Sequence, residues 1–476
     1  MLKERLKTFL LLSLVVLSLF LIRQFWIQSP YEAIVFEDEE EKYTDYLFAD
    51  MIKPNKYLLN FNEKSHTIFY NDEDNNLWTG TYSSLATILS SDDIEAYDIS
   101  NEEFLTYNDS KSIVFYFPEK FYTYILARSL NVTKPNDITE MISEVDSIYV
   151  YLGRGEPYIV FSQGDQHLKV HSADLNVDNI EAKLDEVEES KNYSYYYPMK
   201  DTLDVDNNIY IPYKMSKTMP LVYVKNELDS NNIHEVRNIA ETFFDKDIDY
   251  VREIIENNGS ILYLYDQKVL KINENGLLEY LAPLEEDVHE RNLYISLNTV
   301  SEFLSTHVGG PKDMYLAEIE EIQSGEDLGY RLTFKYRIRG FPVVLKSNVA
   351  KDFIQIEVFN KHIRNYKRFI REDMNIKDYD VMDSSKMLSA FDVINMNYDL
   401  LEKNYIEDNN IPIEDIDIEI LTEVVLSSIT DISVAYLDPC QKEEKEELIG
   451  VWLLNMESRT YAFDVYEGNL VLDRKQ

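Results

Sequence analysis

The first stretch of the chain to show a pattern is apolar on every side. Thr8 to Ile27 reads TFLLLSLVVLSLFLIRQFWI, in which Phe9 to Ile22 holds only apolar residues and serines. Twenty helical residues rise about 30 Å, the thickness of a bilayer's hydrocarbon core. Lys3, Arg5 and Lys7 precede the run, and Arg23 and Trp26 close it at the depth where an arginine snorkels and aromatic rings gather. No small residues follow at the spacing of a cleavage site, so the pattern predicts a retained anchor rather than a removed leader. The basic start then stays in the cytoplasm and the rest lies outside.

Beyond the anchor the pattern becomes short and mixed. Ser65 to Tyr70, Ser112 to Phe117, Ser147 to Leu152 and Tyr158 to Ser162 alternate as strands, with Gly153-Arg154-Gly155-Glu156 as a hairpin turn. Asp137 to Val145 and Ser172 to Ser190 read as helical or charged connectors. From Glu235 a helix-then-meander shape appears and recurs. Glu235 to Phe244 precedes strands at Tyr250 to Ile255, Ile261 to Tyr265, Val269 to Ile272 and Leu277 to Leu281, turned by Asn257-Asn258-Gly259 and Asn275-Gly276. Leu293 to His307, stopped by Gly309-Gly310-Pro311, precedes strands at Met314 to Ile322, Tyr330 to Arg337, Phe341 to Leu345 and Phe353 to Phe359. Ser384 to Tyr405 precedes strands at Ile416 to Val425, Asp431 to Tyr436, Leu448 to Asn455 and Thr460 to Val465. The expectation is an α+β protein of helix-on-antiparallel-sheet domains: a stub at 1–7, a transmembrane helix at 8–27, and outer domains at 28–200, 201–374 and 375–476.

Composition sharpens this picture. Among 476 residues, 13 glycines and 13 prolines are too few for a collagen-like or linker-rich chain, while 45% hydrophobic residues with 36 Tyr and 22 Phe supply a core. A net charge of −41 sets nucleic acid aside as a partner. The single cysteine, Cys440, forbids an internal disulfide, which suits a Gram-positive envelope.

Catalytic patterns fail one by one. Seven histidines are scattered without an H-E-x-x-H arrangement; His167 and His171 lie four apart but in a segment that alternates like a strand. Asp245, Asp247, Asp249, Glu253 and Glu256 follow a calcium-loop spacing, yet Tyr250 stands where glycine is needed, and a helix-to-strand turn accounts better for them. Gly153-x-Gly155 lacks the third glycine of a nucleotide loop, there is no G-x-S-x-G, and Cys440 sits in a polar segment. The reading is a non-enzyme with no cofactor and no metal. Tyrosines in excess mostly build the core and sheet surfaces, and exposed ones would equally make a protein-binding face.

Three segments carry a resemblance: the anchor ending Gln24-Phe-Trp26, the run Tyr263-Leu-Tyr-Asp266-Gln-Lys-Val-Leu-Lys-Ile-Asn-Glu-Asn-Gly276-Leu-Leu-Glu-Tyr280-Leu-Ala-Pro283, and Tyr336-Arg-Ile-Arg-Gly340-Phe-Pro342-Val343. They resemble the YycH (WalH) family of Firmicutes over essentially the whole chain, departing at Asp266-Gln267, where a glycine-containing turn is expected. The resemblance implies a regulator of the WalK/WalR (YycG/YycF) two-component system that controls cell-wall metabolism. It further implies a membrane complex with the sensor kinase WalK and with YycI (WalI), whose fold is similar to the last two domains of the family. The residues expected to serve the lipid bilayer and helix contacts are Ser13, Ser18, Arg23 and Trp26. The alternatives are an anchored wall-active hydrolase, or a sensor module that binds a wall fragment.

Overall fold

The computed structural model describes residues 43–44, 48–70, 76–215, 219–244, 247–346, 350, 352–375, 387–411, 418–440 and 445–475. The chain divides into two units, Met1–Thr44 and Asp45–Gln476. The anchor segment 8–27 and its four marked residues lie outside the described residues. Among the described residues no helix is long and apolar enough to cross a membrane.

The larger unit is α+β and mainly antiparallel, as the alternating patterns require. Its first sheet has nine strands, in the spatial order Tyr210–Pro212, Tyr196–Pro198, Ser65–Phe69, Lys56–Asn62, Ser112–Tyr122, Glu144–Tyr151, Ile159–Gln163, Gln166–His171 and Glu95–Ile99. One face buries aliphatic and aromatic side chains against the helices Leu77–Ser90 and Asp178–Ser190. The first presents Leu77, Trp78, Leu85 and Ile88, and the second Ile180, Leu184 and Val187, each set at helical spacing.

Two of the helix-plus-meander repeats fuse into one eight-stranded sheet. Its order is Arg252–Ile255, Ile261–Tyr265, Lys268–Ile272, Leu278–Leu281, His362–Arg368, Ile354–Phe359, Asp327–Lys335 and Tyr315–Ser324. The helices Ile233–Thr242 and Leu293–His307 accompany these meanders. Gly309 takes φ 72° and donates its N–H to the Leu304 carbonyl at 2.7 Å, closing the second helix as the glycine pair predicts. At the Asp266-Gln267 turn the left-handed position that glycine would fill is taken by Asp266 itself, at φ 54°.

The last sheet has six strands, in the order Arg337–Ile338, Phe341–Leu345, Ile429–Asp438, Ile449–Met456, Arg459–Asp464 and Leu470–Lys475. Phe341–Leu345, read in sequence as part of the second meander, leaves it and pairs parallel to Ile429–Asp438. The place beside Asp327–Lys335 is taken, because that strand is already paired on both sides. The expected strand at Ile416 to Val425 is instead a helix, Ile418–Ser427. Leu421, Val425 and Leu426 are buried while Ile420 and Val424 are exposed, a helical and not an alternating division.

Candidate functional site

The second face of the nine-stranded sheet mixes aromatic, aliphatic and polar side chains, and it gathers three of the seven histidines, His66, His167 and His171. Cross-strand register lays Tyr97, Lys169, Val160, Tyr149, Val114, Leu58 and Ile68 in one row. Ile99, His167, Ser162, Ser147 and Tyr116 form the next. Over these rows lie a short helix, Asn101–Leu105, and a 3-10 turn, Thr106–Asp109, started where the Ser100 hydroxyl accepts the Glu103 N–H.

Phe104 stacks on His167 with ring centroids 4.0 Å apart. The Lys169 ammonium lies 3.9 Å from the Tyr158 ring centroid and 4.8 Å from that of Tyr107, and donates to the Tyr107 hydroxyl at 3.0 Å. Tyr151 stacks on Tyr158 at 4.6 Å. Burial pushes the Tyr158 hydroxyl up to about 12. Burial also holds His167 and His171 below the ordinary histidine value, the Lys169 charge adding to the effect at His171.

Hydrogen bonding engages both ring nitrogens of His167. The Asn101 amide nitrogen donates to Asp165 at 3.0 Å, so its oxygen faces the ring and accepts from Nε2–H at 3.3 Å. Nδ1 lies 2.8 Å from the Ser162 hydroxyl, so both ring nitrogens are engaged, and burial favours the neutral imidazole. His167 and His171 share a sheet face, but Lys169 stands between them, an arrangement hostile to a divalent cation. Among the described residues no three histidine, cysteine or acidic side chains converge as metal ligands would.

A second concentration of charge sits where a three-stranded sheet, Arg371–Asp373, Tyr223–Asn226 and Glu446–Glu447, joins the larger sheets. Arg368 binds Glu227 through two nitrogens at 2.7 and 2.6 Å and the Gly309 carbonyl at 2.8 Å. Arg371 pairs with Glu446, lies 3.3 Å from Asp438 and donates to Asn226 at 2.5 Å. The five charged side chains of this junction are at most 5% exposed. Between the first and last sheets, Lys56 pairs with Asp431 at 2.6 Å, and the Asn207 amide donates to the Leu426, Ser427 and Ile429 carbonyls.

The other sequence candidates are dispersed. Asp249 and Glu253 pair with Arg237, Glu256 pairs with Lys271, and Asp247 opens the 3-10 turn Ile248–Tyr250; Asp245 lies outside the described residues. Cys440 is of intermediate exposure, and its thiol donates to the Asp438 carbonyl at 3.4 Å. The tyrosines divide between core and surface: Tyr57, Tyr263, Tyr336, Tyr366, Tyr436 and Tyr461 are buried, while Tyr97, Tyr122, Tyr124, Tyr195, Tyr213 and Tyr250 are exposed. Sequence reasoning missed the Arg368 and Arg371 junction, which joins residues far apart in the chain and leaves no local signal.

No protein-family model and no curated protein matches the chain. Among solved structures, an uncharacterized protein from Eubacterium rectale ATCC 33656 is similar at 14% identity and a TM-score of 0.36, over 56% of this chain and 91% of that one. The Bacillus megaterium YpeB C-terminal domain is similar at 11% identity and a TM-score of 0.25, over 51% of this chain and 96% of that one. Neither likeness carries weight for function.

Proposed function

We propose that this chain is a membrane-anchored, non-enzymatic regulator of the WalK (YycG) sensor histidine kinase, working with YycI through protein contacts. On this reading residues 8–27 span the cell membrane with the amino terminus in the cytoplasm, and the α+β unit stands outside. The observation that carries the proposal is how the polar side chains are used. The buried ones cross-brace the sheets, while aromatic rings remain at the surface, the allocation of a scaffold that presents faces to partners. The acidic surface and the segment resemblance agree with it.

The test is a pull-down from native membranes, comparing the full chain with residues 1–30 fused to an inert outer domain. Retention of the kinase by the full chain supports the proposal, and retention by the anchor alone assigns the contact to the helix. Retention by neither overturns it and reopens the hydrolase and wall-fragment readings.

A further inference from the structure

The eight-stranded sheet is built by one rule. Each of its two repeats supplies four strands in meander order, and the two meet through their fourth strands, Leu278–Leu281 and His362–Arg368, paired antiparallel. Tyr280 faces Tyr366 across that seam, and Phe303 of the second repeat's helix packs within 6.3 Å of Tyr280 and 6.0 Å of Phe243 of the first. Each repeat therefore covers the hydrogen-bonding edge of the other and buries rings over the join.

The third repeat has the same four-strand order, Ile429–Asp438, Ile449–Met456, Arg459–Asp464 and Leu470–Lys475, but its fourth strand ends the sheet. Among the described residues nothing pairs with the outer edge of Leu470–Lys475. Two apolar side chains stand open beside it. Leu470 is 39% exposed, and Met396, which lies against the Gly468 turn leading into the strand, is 57% exposed. An uncovered edge flanked by exposed apolar groups is a template for another strand.

We infer that this edge pairs with the same strand of a second copy, repeating between chains the fourth-strand seam that the first two repeats make within one chain. A twofold axis perpendicular to the sheet leaves the helices of both copies on one face, as they are in the eight-stranded sheet. The antiparallel register that uses all six residues sets Leu470 opposite Lys475, Val471 opposite Arg474 and Leu472 opposite Asp473. No like charges face each other, and within each copy Asp473 keeps Arg459 and Arg474 keeps the Leu345 carbonyl as partner. A six-residue seam with two apolar flanks makes a weak dimer, with a dissociation constant on the order of micromolar or weaker.

The test uses the full chain in density-matched detergent. Sedimentation is expected to show a reversible dimer that Leu470→Lys and Met396→Lys each weaken at least about tenfold, with circular dichroism and the unfolding midpoint unchanged, since both side chains are exposed. In a Cys440→Ser background, Leu470→Cys combined with Lys475→Cys is expected to give an interchain bridge on oxidation. Within one strand those two positions stand about 16 Å apart, too far to bridge each other. A chain that stays monomeric at about 100 µM overturns the inference. So does a dimer that neither lysine variant weakens and that yields no bridge. Kinase capture in the pull-down is a separate readout, so failure here is distinguishable from failure of the regulator proposal.

Discussion

Arg368 lies flat along the carboxylate of Glu227, two parallel N–H···O bonds joining residues 141 positions apart in a site with essentially no solvent. Taking both charges out of water is costly, and the fork geometry with the Gly309 carbonyl on Nη1 offsets that cost. Removing one partner strands the other. Glu227→Leu or Arg368→Met is expected to destabilise the unit by about 3–5 kcal/mol, whereas the two together recover much of the loss. Urea titration of the four chains checks the cycle, and additive losses would show that the pair is not coupled.

Asn207 makes a comparable join with neutral groups. Its amide reaches the Leu426 and Ser427 carbonyls at the end of the helix Ile418–Ser427, which no further helical turn satisfies, and the Ile429 carbonyl that opens the next strand, while its oxygen accepts the Ile209 N–H at 2.9 Å. Asn207→Ala leaves buried acceptors without their donor and is expected to cost about 1–3 kcal/mol. Hydrogen exchange adds a local readout. Amides near the end of that helix should exchange faster in the variant, while those of the eight-stranded sheet keep their protection.

What could be read from sequence follows how local each feature is. The helix Leu293–His307 was legible because Leu293, Leu297, Val300 and Leu304 mark one face and Gly309-Gly310-Pro311 ends it. Ile418–Ser427 was misread because Ile418, Ile420 and Val424 supply a β-branched alternation alongside the true Leu421 and Val425 stripe. Leu77–Ser90 escaped notice because Thr79, Gly80, Thr81, Ser83 and Ser84 dilute a face whose buried positions are nonetheless 77, 81, 85 and 88. The strand of His167 follows from alternation, whereas His362–Arg368 is not among the strands expected from sequence. The partners of His167 and Arg368, Asn101 and Glu227, depend on how distant segments stack, and no window of the sequence reports that.

The neutral His167 makes stability depend on pH in a defined sense. Its folded value lies below the unfolded value of about 6.5 because burial penalises the imidazolium. Below that pH the unfolded chain binds a proton that the folded chain resists, so the contribution is present above about 6.5 and is lost as pH falls toward the folded value. His66 and His171 are lowered by burial in the same way and add to the slope. The unfolding midpoint should therefore fall between about pH 7 and 5, and His167→Gln, which carries no titrating group, should flatten part of that fall. A His167→Gln chain with an unchanged slope would exclude this residue as a source.

If residues 8–27 form the proposed membrane helix, lipid offers no hydrophobic drive for it to seek another, so contact with a kinase helix would have to come from close packing and polar groups. Within the apolar run from Phe9 to Ile22 only Ser13 and Ser18 offer either, and they stand five apart rather than four, too far round the helix for a small-xxx-small seam. If the anchor carries the regulatory contact, filling both positions should loosen it without weakening insertion, since leucine is at least as apolar as the residue it replaces. Ser13→Leu combined with Ser18→Leu is expected to change WalR-dependent transcription at equal protein level. Unchanged transcription would move the contact to the outer unit, where the exposed tyrosines Tyr122, Tyr124, Tyr195 and Tyr213 become the next positions to substitute.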